Sequence, residues 1–231
     1  HMNKNIDRFI VGSGFIASKF KRYHGFLKKN NTVVYASGIS NSLEINKKKL
    51  HKEIVKLDKF LDQNQKKLIY ISTYSVADSS RVKKKYVKNK IKIEKMIVKK
   101  SKNYLIIRMP EIIGRSKNPY TLTNFFFKKI TKNKKFLLFK NSKRNLLEVN
   151  DATKNTIKII KLYKNKNRIV NLLNKEFYTP LKIIKTFENI LNKKANFKIS
   201  NLKKGNWNLK NNFFVLPSKN YLQKTLKIYY T

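Results

Sequence analysis

Short runs rich in β-branched and aromatic residues alternate along the chain with longer segments in which apolar positions recur every three or four residues, the pattern of parallel βαβ units. Phe9-Ile10-Val11 predicts a first buried strand and Phe15 to Tyr23 the helix after it. Thr32 to Ala36 predicts a second strand, followed by an amphipathic helix over Lys47 to Leu61. A strand at Leu68 to Ser72, a helix at Tyr86 to Val98 and a strand at Tyr104 to Arg108 continue the alternation. Met109-Pro110 ends it there, because proline cannot donate to a sheet ladder. Beyond that point the pattern gives helices over Leu122 to Thr131, Asp151 to Leu162 and Leu181 to Leu191, and strands at Phe136 to Phe139 and Ile169 to Leu172. Asn150 or Asp151 is the expected cap of the middle helix. The C-terminal stretch is weakly patterned, and no internal repeat is present.

With 231 residues, 41% of them hydrophobic, the chain can bury one sizeable core, so one globular body with a small lobe is expected. No apolar run approaches the roughly 20 residues needed to span a bilayer, and the basic-then-apolar order of a secretory signal is missing, which predicts a cytoplasmic protein. His1-Met2 reads as a cloning remnant. The absence of cysteine fits a reducing compartment and excludes disulfides, thiolate metal sites and cysteine nucleophiles. His24 and His51 are isolated and lack metal-ligand spacing, so no metal site is expected.

The formal charge of +43 invites a nucleic-acid reading. Lys far outnumbers Arg, however, and the Lys-rich stretches at 47–49, 83–85 and 132–135 are scattered between apolar segments. A dedicated binder would gather Arg and aromatic residues on one face, so solvated faces and no specific nucleic-acid partner are expected. The positive field would still draw in an anionic substrate or cofactor. Trp207 and the Phe125-Phe126-Phe127 cluster are read as packing residues of a lobe and its core.

Two local motifs carry candidate chemistry. Gly12-Ser13-Gly14-Phe15-Ile16-Ala17 lies between the first strand and its helix, where the first Gly allows a tight turn and the second lets a pyrophosphate approach backbone N–H groups. A turn that simply needs two glycines would explain the same residues, although the chain spends two of only 6 Gly there. Tyr86-Val87-Lys88-Asn89-Lys90 places Tyr86 and Lys90 on one helix face. An ammonium within about 4 to 6 Å can lower a phenol pKa by roughly 1 to 3 units, toward the range for proton exchange with an alcohol or carbonyl. In so Lys-rich a chain the pair also arises by chance. The hydroxyls of Tyr70-Ile71-Ser72-Thr73-Tyr74-Ser75-Val76 fall at the C-terminal end of a strand, where open α/β sheets bind ligands.

In this order the pieces resemble the extended short-chain dehydrogenase/reductase family, whose members are sugar-nucleotide epimerases, dehydratases and reductases. Gly14-Phe15-Ile16-Ala17 is similar to that family's Gly-Phe-Ile-Gly, and Val34-Tyr35-Ala36-Ser37-Gly38 to its strand ending in small residues beside the cofactor. Ile71-Ser72-Thr73-Tyr74-Ser75-Val76 resembles its hydroxyl-bearing strand, Ile107 to Gly114 the segment leading to its substrate lobe, and Arg144 to Ala152 its Arg-Asp-aromatic-x-x-Val-x-Asp-x element. The resemblance implies a Rossmann-like doubly wound parallel sheet with a small C-terminal substrate lobe. Residues 3–115, completed by about 144–175, would form the dinucleotide-binding core, and 116–143 with 176–231 the lobe. It also implies a nucleotide-sugar substrate, NAD or NADP as cofactor, and room for a homodimer. Thr73 would hydrogen-bond the reacting oxygen, Tyr86 would exchange its proton, and Lys90 would hold the nicotinamide ribose and lower the Tyr86 pKa. Gly12, Ser13, Gly14, Phe15, Ile16, Ala36, Ser37 and Gly38 would bind cofactor; Ser75, Glu111 and Arg144 would bind substrate, Arg144 at the diphosphate.

The departures are as informative. The chain reaches Val33-Val34-Tyr35 too soon after its first helix to fit the family's second and third strands, so a shortened cofactor domain is expected. The acidic residue that would grip the adenosine ribose has no candidate, and Lys21 and Arg22 could favour a 2′-phosphate instead. Tyr74 and Ser75 follow Thr73 where dehydratases carry an acidic pair, which points to a keto-sugar reductase or an epimerase. A catalytically degenerate, cofactor-binding protein of the same fold is the alternative.

Overall fold

The computed structural model describes residues 9–140, 142–201 and 210–231. Trp207 lies outside them. Five expected strands form: β1 (Ile10–Val11), β2 (Thr32–Tyr35), β3 (Lys67–Thr73), β4 (Tyr104–Met109) and, further along the chain, β8 (Arg168–Asn174). With β11 (Asn212–Val215) they make one wholly parallel sheet in the order β1-β2-β3-β4-β8-β11. This is a Rossmann-like α/β fold.

Helices cover both faces, and alternate residues of the strands show why. Val34, Ile69, Leu105 and Ile107 are buried with Phe20 of α1 (Phe15–Phe20), Leu27 of α2 (His24–Lys29) and Ile157 and Ile160 of α6 (Val149–Leu162). Val33, Tyr35, Leu68, Tyr70 and Ile106 point the other way, onto Leu57 of α3 (Lys47–Gln63) and Ile93 and Ile97 of α4 (Lys85–Lys100). Strands buried on both sides read as near-continuous apolar runs, which is why the sequence pattern reveals them.

The connections β1-to-β2 and β2-to-β3 step the same way across the sheet, yet their helices lie on opposite faces, so they have opposite hands. Parallel crossovers are almost always right-handed. Of the three connections among β1 to β4 the odd one is the first, since β2-to-β3 and β3-to-β4 share a face and a hand. In the usual order two strands lie beyond the first one; here β1 is the sheet edge, with none beyond it among the described residues. An α1 on this face with no strand beyond β1 among the described residues gives this arrangement.

Gly12 is the glycine this edge requires. Its φ is +127°, and a Cβ there would lie 2.6 Å from the carbonyl oxygen of Ala36 at the end of β2. Gly12→Ala should therefore destabilise the fold by roughly 2–4 kcal/mol, read from the denaturant midpoint.

A second core lies off the sheet. Phe126 and Ile130 of α5 (Leu122–Thr131), Phe136 and Leu138 of β6 (Phe136–Phe139) and Ile183, Ile184 and Phe187 of α7 (Pro180–Leu191) are its centre. Phe125 and Phe127 pack against it. The short strands β5 (Glu111–Ile113), β7 (Arg144–Glu148) and β9 (Phe177–Tyr178) form a separate three-stranded sheet, and β10 (Phe197–Ser200) pairs with β6. In the C-terminal stretch, expected to be weakly patterned, the described residues form regular elements: β11 ends the main sheet and α8 (Tyr221–Tyr230) buries Leu222, Leu226 and Tyr230 in the second core. The cap of α6 is neither Asn150 nor Asp151 but Glu148, whose side chain accepts from both of their backbone N–H groups. One carboxylate thereby satisfies two of the donors that a helix start leaves unpaired.

Candidate active site

The C-terminal ends of β1 to β4 open into one cleft of about 770 Å³. Of the residues singled out from the sequence, Ser13, Gly14, Phe15, Ile16, Ala36, Gly38, Thr73, Ser75, Tyr86, Lys90, Glu111 and Arg144 all line it. Gly12 and Ser37 do not: Gly12 packs under Ala36, and the Ser37 hydroxyl accepts from Lys56 Nζ at 2.9 Å.

Gly14 has an ordinary φ of −76° and caps α1, and a Cβ built on it meets nothing within 4 Å. The space beside its backbone is open cleft. At the opposite wall, Thr73 ends β3 and accepts from the Ser75 N–H at 3.1 Å, which fixes its rotamer. Its hydroxyl also hydrogen-bonds the Tyr86 side chain. Tyr86 and Lys90 sit one turn apart on α4, with the ammonium 5.5 Å from the centre of the Tyr86 ring.

Lys90 has a further partner that sequence reasoning missed. Glu53, buried on α3, accepts from Lys90 Nζ at 2.6 Å and from Asn89 Nδ2 at 2.9 Å. The Ile39 N–H donates to the same carboxylate at 3.2 Å, and Lys90 also reaches the Tyr70 hydroxyl at 3.3 Å. This changes the electrostatics expected of the pair. Burial raises the Tyr86 pKa, Lys90 lowers it, Glu53 raises it and the Thr73 hydrogen bond lowers it; the net direction is up. The ammonium acts with the expected sign, but desolvation of a phenolate in this wall is larger. Burial likewise pulls Lys90 down, and Tyr70, Tyr86 and Glu53 outweigh it, so Lys90 stays charged.

The lobe side is a chain of charges. Glu111 lies 3.4 Å from Arg144 Nη1 and 3.7 Å from Arg81 Nη2, and Arg81 also pairs with Asp78 at 3.2 Å and donates to the Ser75 hydroxyl at 3.2 Å. Burial raises the Glu111 pKa and Arg81 opposes it. Among the described residues, Arg144 Nε and Glu111 Oε2 are buried polar atoms with no partner. Arg81 was the second residue missed. Lys19, Arg115 and Lys117 add positive charge to the cleft wall. Lys21 and Arg22 do not line it, and Arg22 donates to Asn150 Oδ1 at 2.6 Å instead, because the 3-10 turn over Lys21–Tyr23 turns it toward α6. Among the described residues no cluster of His, Asp and Glu could hold a metal ion, and no helix is long and apolar enough to cross a membrane.

No family model matches the chain, and no curated protein matches it. Solved structures do. UDP-N-acetylglucosamine 4-epimerase from Bacillus cereus superposes with a TM-score of 0.69 at 15% identity, covering 94% of this chain and 92% of that one. This chain has the fold of that epimerase. UDP-glucuronic acid 4-epimerase from the same organism, in complex with NAD, superposes at 0.64 with 19% identity over 89% of this chain and 75% of its own. The UDP-glucose 4-epimerase of Thermus thermophilus, also in complex with NAD, gives 0.63 at 12% identity, over 98% and 84%. That fold closes around the cleft just described.

Proposed function

We propose that this protein is a nicotinamide-dependent enzyme acting on a nucleotide-activated sugar, as a keto-sugar reductase or an epimerase. The observation that carries the proposal is the convergence in one cleft of Thr73, Tyr86 and Lys90 on one wall and the open Gly14 backbone on the other. The epimerases of like fold support it, since their structures hold NAD and their names give UDP-sugars as substrates.

When bound, the nicotinamide would take a hydride from a sugar ring carbon or return one to it. Lys90 would hold the ribose hydroxyls and Gly14 would give its backbone to the pyrophosphate. These residues fit the nicotinamide and pyrophosphate halves. The adenosine half has less support, because β1 is the sheet edge and no acidic residue occurs from Arg8 to Leu43. Thr73 would orient the sugar oxygen and Tyr86 would pass its proton. Because the Tyr86 pKa is raised, the phenol enters as the acid and serves best as donor to a carbonyl being reduced. Arg144 Nε, lacking a partner, would take a diphosphate oxygen.

A second reading, a cofactor-binding protein with little turnover, is favoured by the open β1 edge. Calorimetry with NADH, NADPH and a panel of UDP- and dTDP-sugars, followed by rate assays, separates the two. Dinucleotide and sugar nucleotide binding with turnover supports the enzyme, and dinucleotide binding alone supports the degenerate form. No binding of either overturns both. Gly14→Val should fold normally, since the added atoms enter open space, yet lose about tenfold or more in dinucleotide affinity, roughly 1.4 kcal/mol or above. Unchanged affinity in the folded variant would remove the phosphate-loop assignment.

A further inference from the structure

Lys90 is proposed to hold a ribose and to act on Tyr86, yet its ammonium already has a buried counter-ion. Glu53 and Lys90 are each no more than 5% exposed in their side chains, at 2.6 Å. The carboxylate is fixed from three further directions. Asn89 donates to its other oxygen, the Ile39 N–H to the same one, and Gly38 packs so closely that a Cβ there would be 2.5 Å from Glu53 Oε1 and 3.0 Å from Lys90 Nζ. One carboxylate thus ties together α3, α4 and the loop after β2 that walls the cleft. A buried ion pair with this much desolvation is a poor stabiliser compared with apolar packing, so stability alone does not account for it.

We infer that Glu53 is a positioning residue for the proposed reaction: from α3 it holds the Lys90 ammonium against Tyr86 and Tyr70, and it holds the Gly38–Ile39 backbone at the cleft wall. The inference rests on the reading of Tyr86 and Lys90 as the reacting pair. Glu53 reaches the sugar oxygen only through them. The charged and titratable groups that face the pair are Tyr35 from β2, Tyr70 from β3 and Tyr86 from α4, with Asn89 the neutral neighbour. Glu53 is the one acid among them. Its charge partly cancels that of Lys90 at the phenol and keeps the Tyr86 proton in place. A carboxylate here also explains why Gly stands at position 38, since any side chain would displace it.

The test needs neither cofactor nor substrate. The phenolate absorbance of the free protein is followed against pH for the parent and for Glu53→Gln, each compared with the same protein carrying Tyr86→Phe, so that the difference reports Tyr86 alone. With Glu53 neutral the cluster gives up a proton more readily, and Tyr86 should ionise at a pH lower by roughly 1 unit or more. Where activity is found, its pH profile should move in the same direction. An unmoved Tyr86 titration in folded Glu53→Gln overturns the inference and leaves Glu53 as a packing residue. If Glu53→Gln does not fold, Glu53→Asp keeps the charge and withdraws it by one methylene. Its titration should move the same way by less, and no movement there overturns the inference as well. Full turnover in Tyr86→Phe would sink the catalytic reading and leave the titration result standing, so the two failures are distinct.

Discussion

Tyr86→Phe should lower turnover by a factor on the order of 100 or more while leaving the fold and dinucleotide affinity close to those of the parent. The change deletes one hydroxyl from a ring of α4 that is itself buried. No cavity forms, so lost activity cannot be assigned to collapse of the core. The hydroxyl's one identified partner is Thr73, and that hydroxyl keeps its bond to the Ser75 N–H, so the stability cost should be about 1 kcal/mol. Rates measured in both directions sharpen the result. Because the parent phenol holds its proton well above neutral pH, reduction should be flat through neutrality and fall as pH rises toward the Tyr86 ionisation. Thr73→Val should reduce the rate and move that fall to higher pH, since its hydrogen bond lowers the Tyr86 pKa. A Tyr86→Phe protein with parental turnover would show that the proton comes from elsewhere.

The parts of this molecule that were legible are those fixed by short-range pattern. Strands such as Val33-Val34-Tyr35 and Leu68-Ile69-Tyr70 are buried on both faces, so an unbroken apolar run identifies them. Thr73, Tyr86 and Lys90 were legible because a strand end and a single helical turn bring them together. Glu53 was not, because its partner lies 37 positions away and the meeting depends on how α3 packs on α4. It had a signal, an acid on the apolar side of an amphipathic helix in a chain with only 12 acidic residues. Arg81 was hidden for the same reason, its contacts to Glu111 and Ser75 being set by the turn after β3. The C-terminal helix was missed because three of its five buried residues, Tyr221, Thr225 and Tyr230, carry hydroxyls. Tyr230 packs its ring on Phe127 and Phe187, and its hydroxyl reaches Thr123 and Asn124, partners brought by the fold. β7 reads as polar at both ends since Asn145 bonds the backbone at Asn174 and Glu148 caps α6, roles that exist only in the folded chain.

Lys90→Met should be the most costly single change in the site, because it removes one partner of a buried pair and leaves the other. Methionine is close in length and fills the same space, so the loss is electrostatic. The Glu53 carboxylate keeps its hydrogen bonds from Asn89 and Ile39 but loses the cation paired with it, and breaking such a pair from one side costs about 3–5 kcal/mol. The parent pair shows the complementary pH behaviour. The Lys90 pKa is raised above its unfolded value, so its contribution to stability is complete below roughly pH 10 and is lost only as pH rises toward the folded value. Around neutrality the difference in unfolding free energy between parent and variant should therefore show no Lys90 titration. Pairing the variant with Glu53→Gln decides between an electrostatic and a packing origin. If the cost is the stranded carboxylate, the double variant should recover most of the lost stability, with a coupling energy that a denaturant series on the four proteins measures directly. It should not recover turnover. With the ammonium gone, burial is no longer opposed by it at Tyr86, so residual activity in the oxidative direction should peak at higher pH than in the parent. Strictly additive stabilities in the two single and the double variant would mean that the two residues do not act as a pair, and would remove both the ion pair and the positioning role assigned to Glu53.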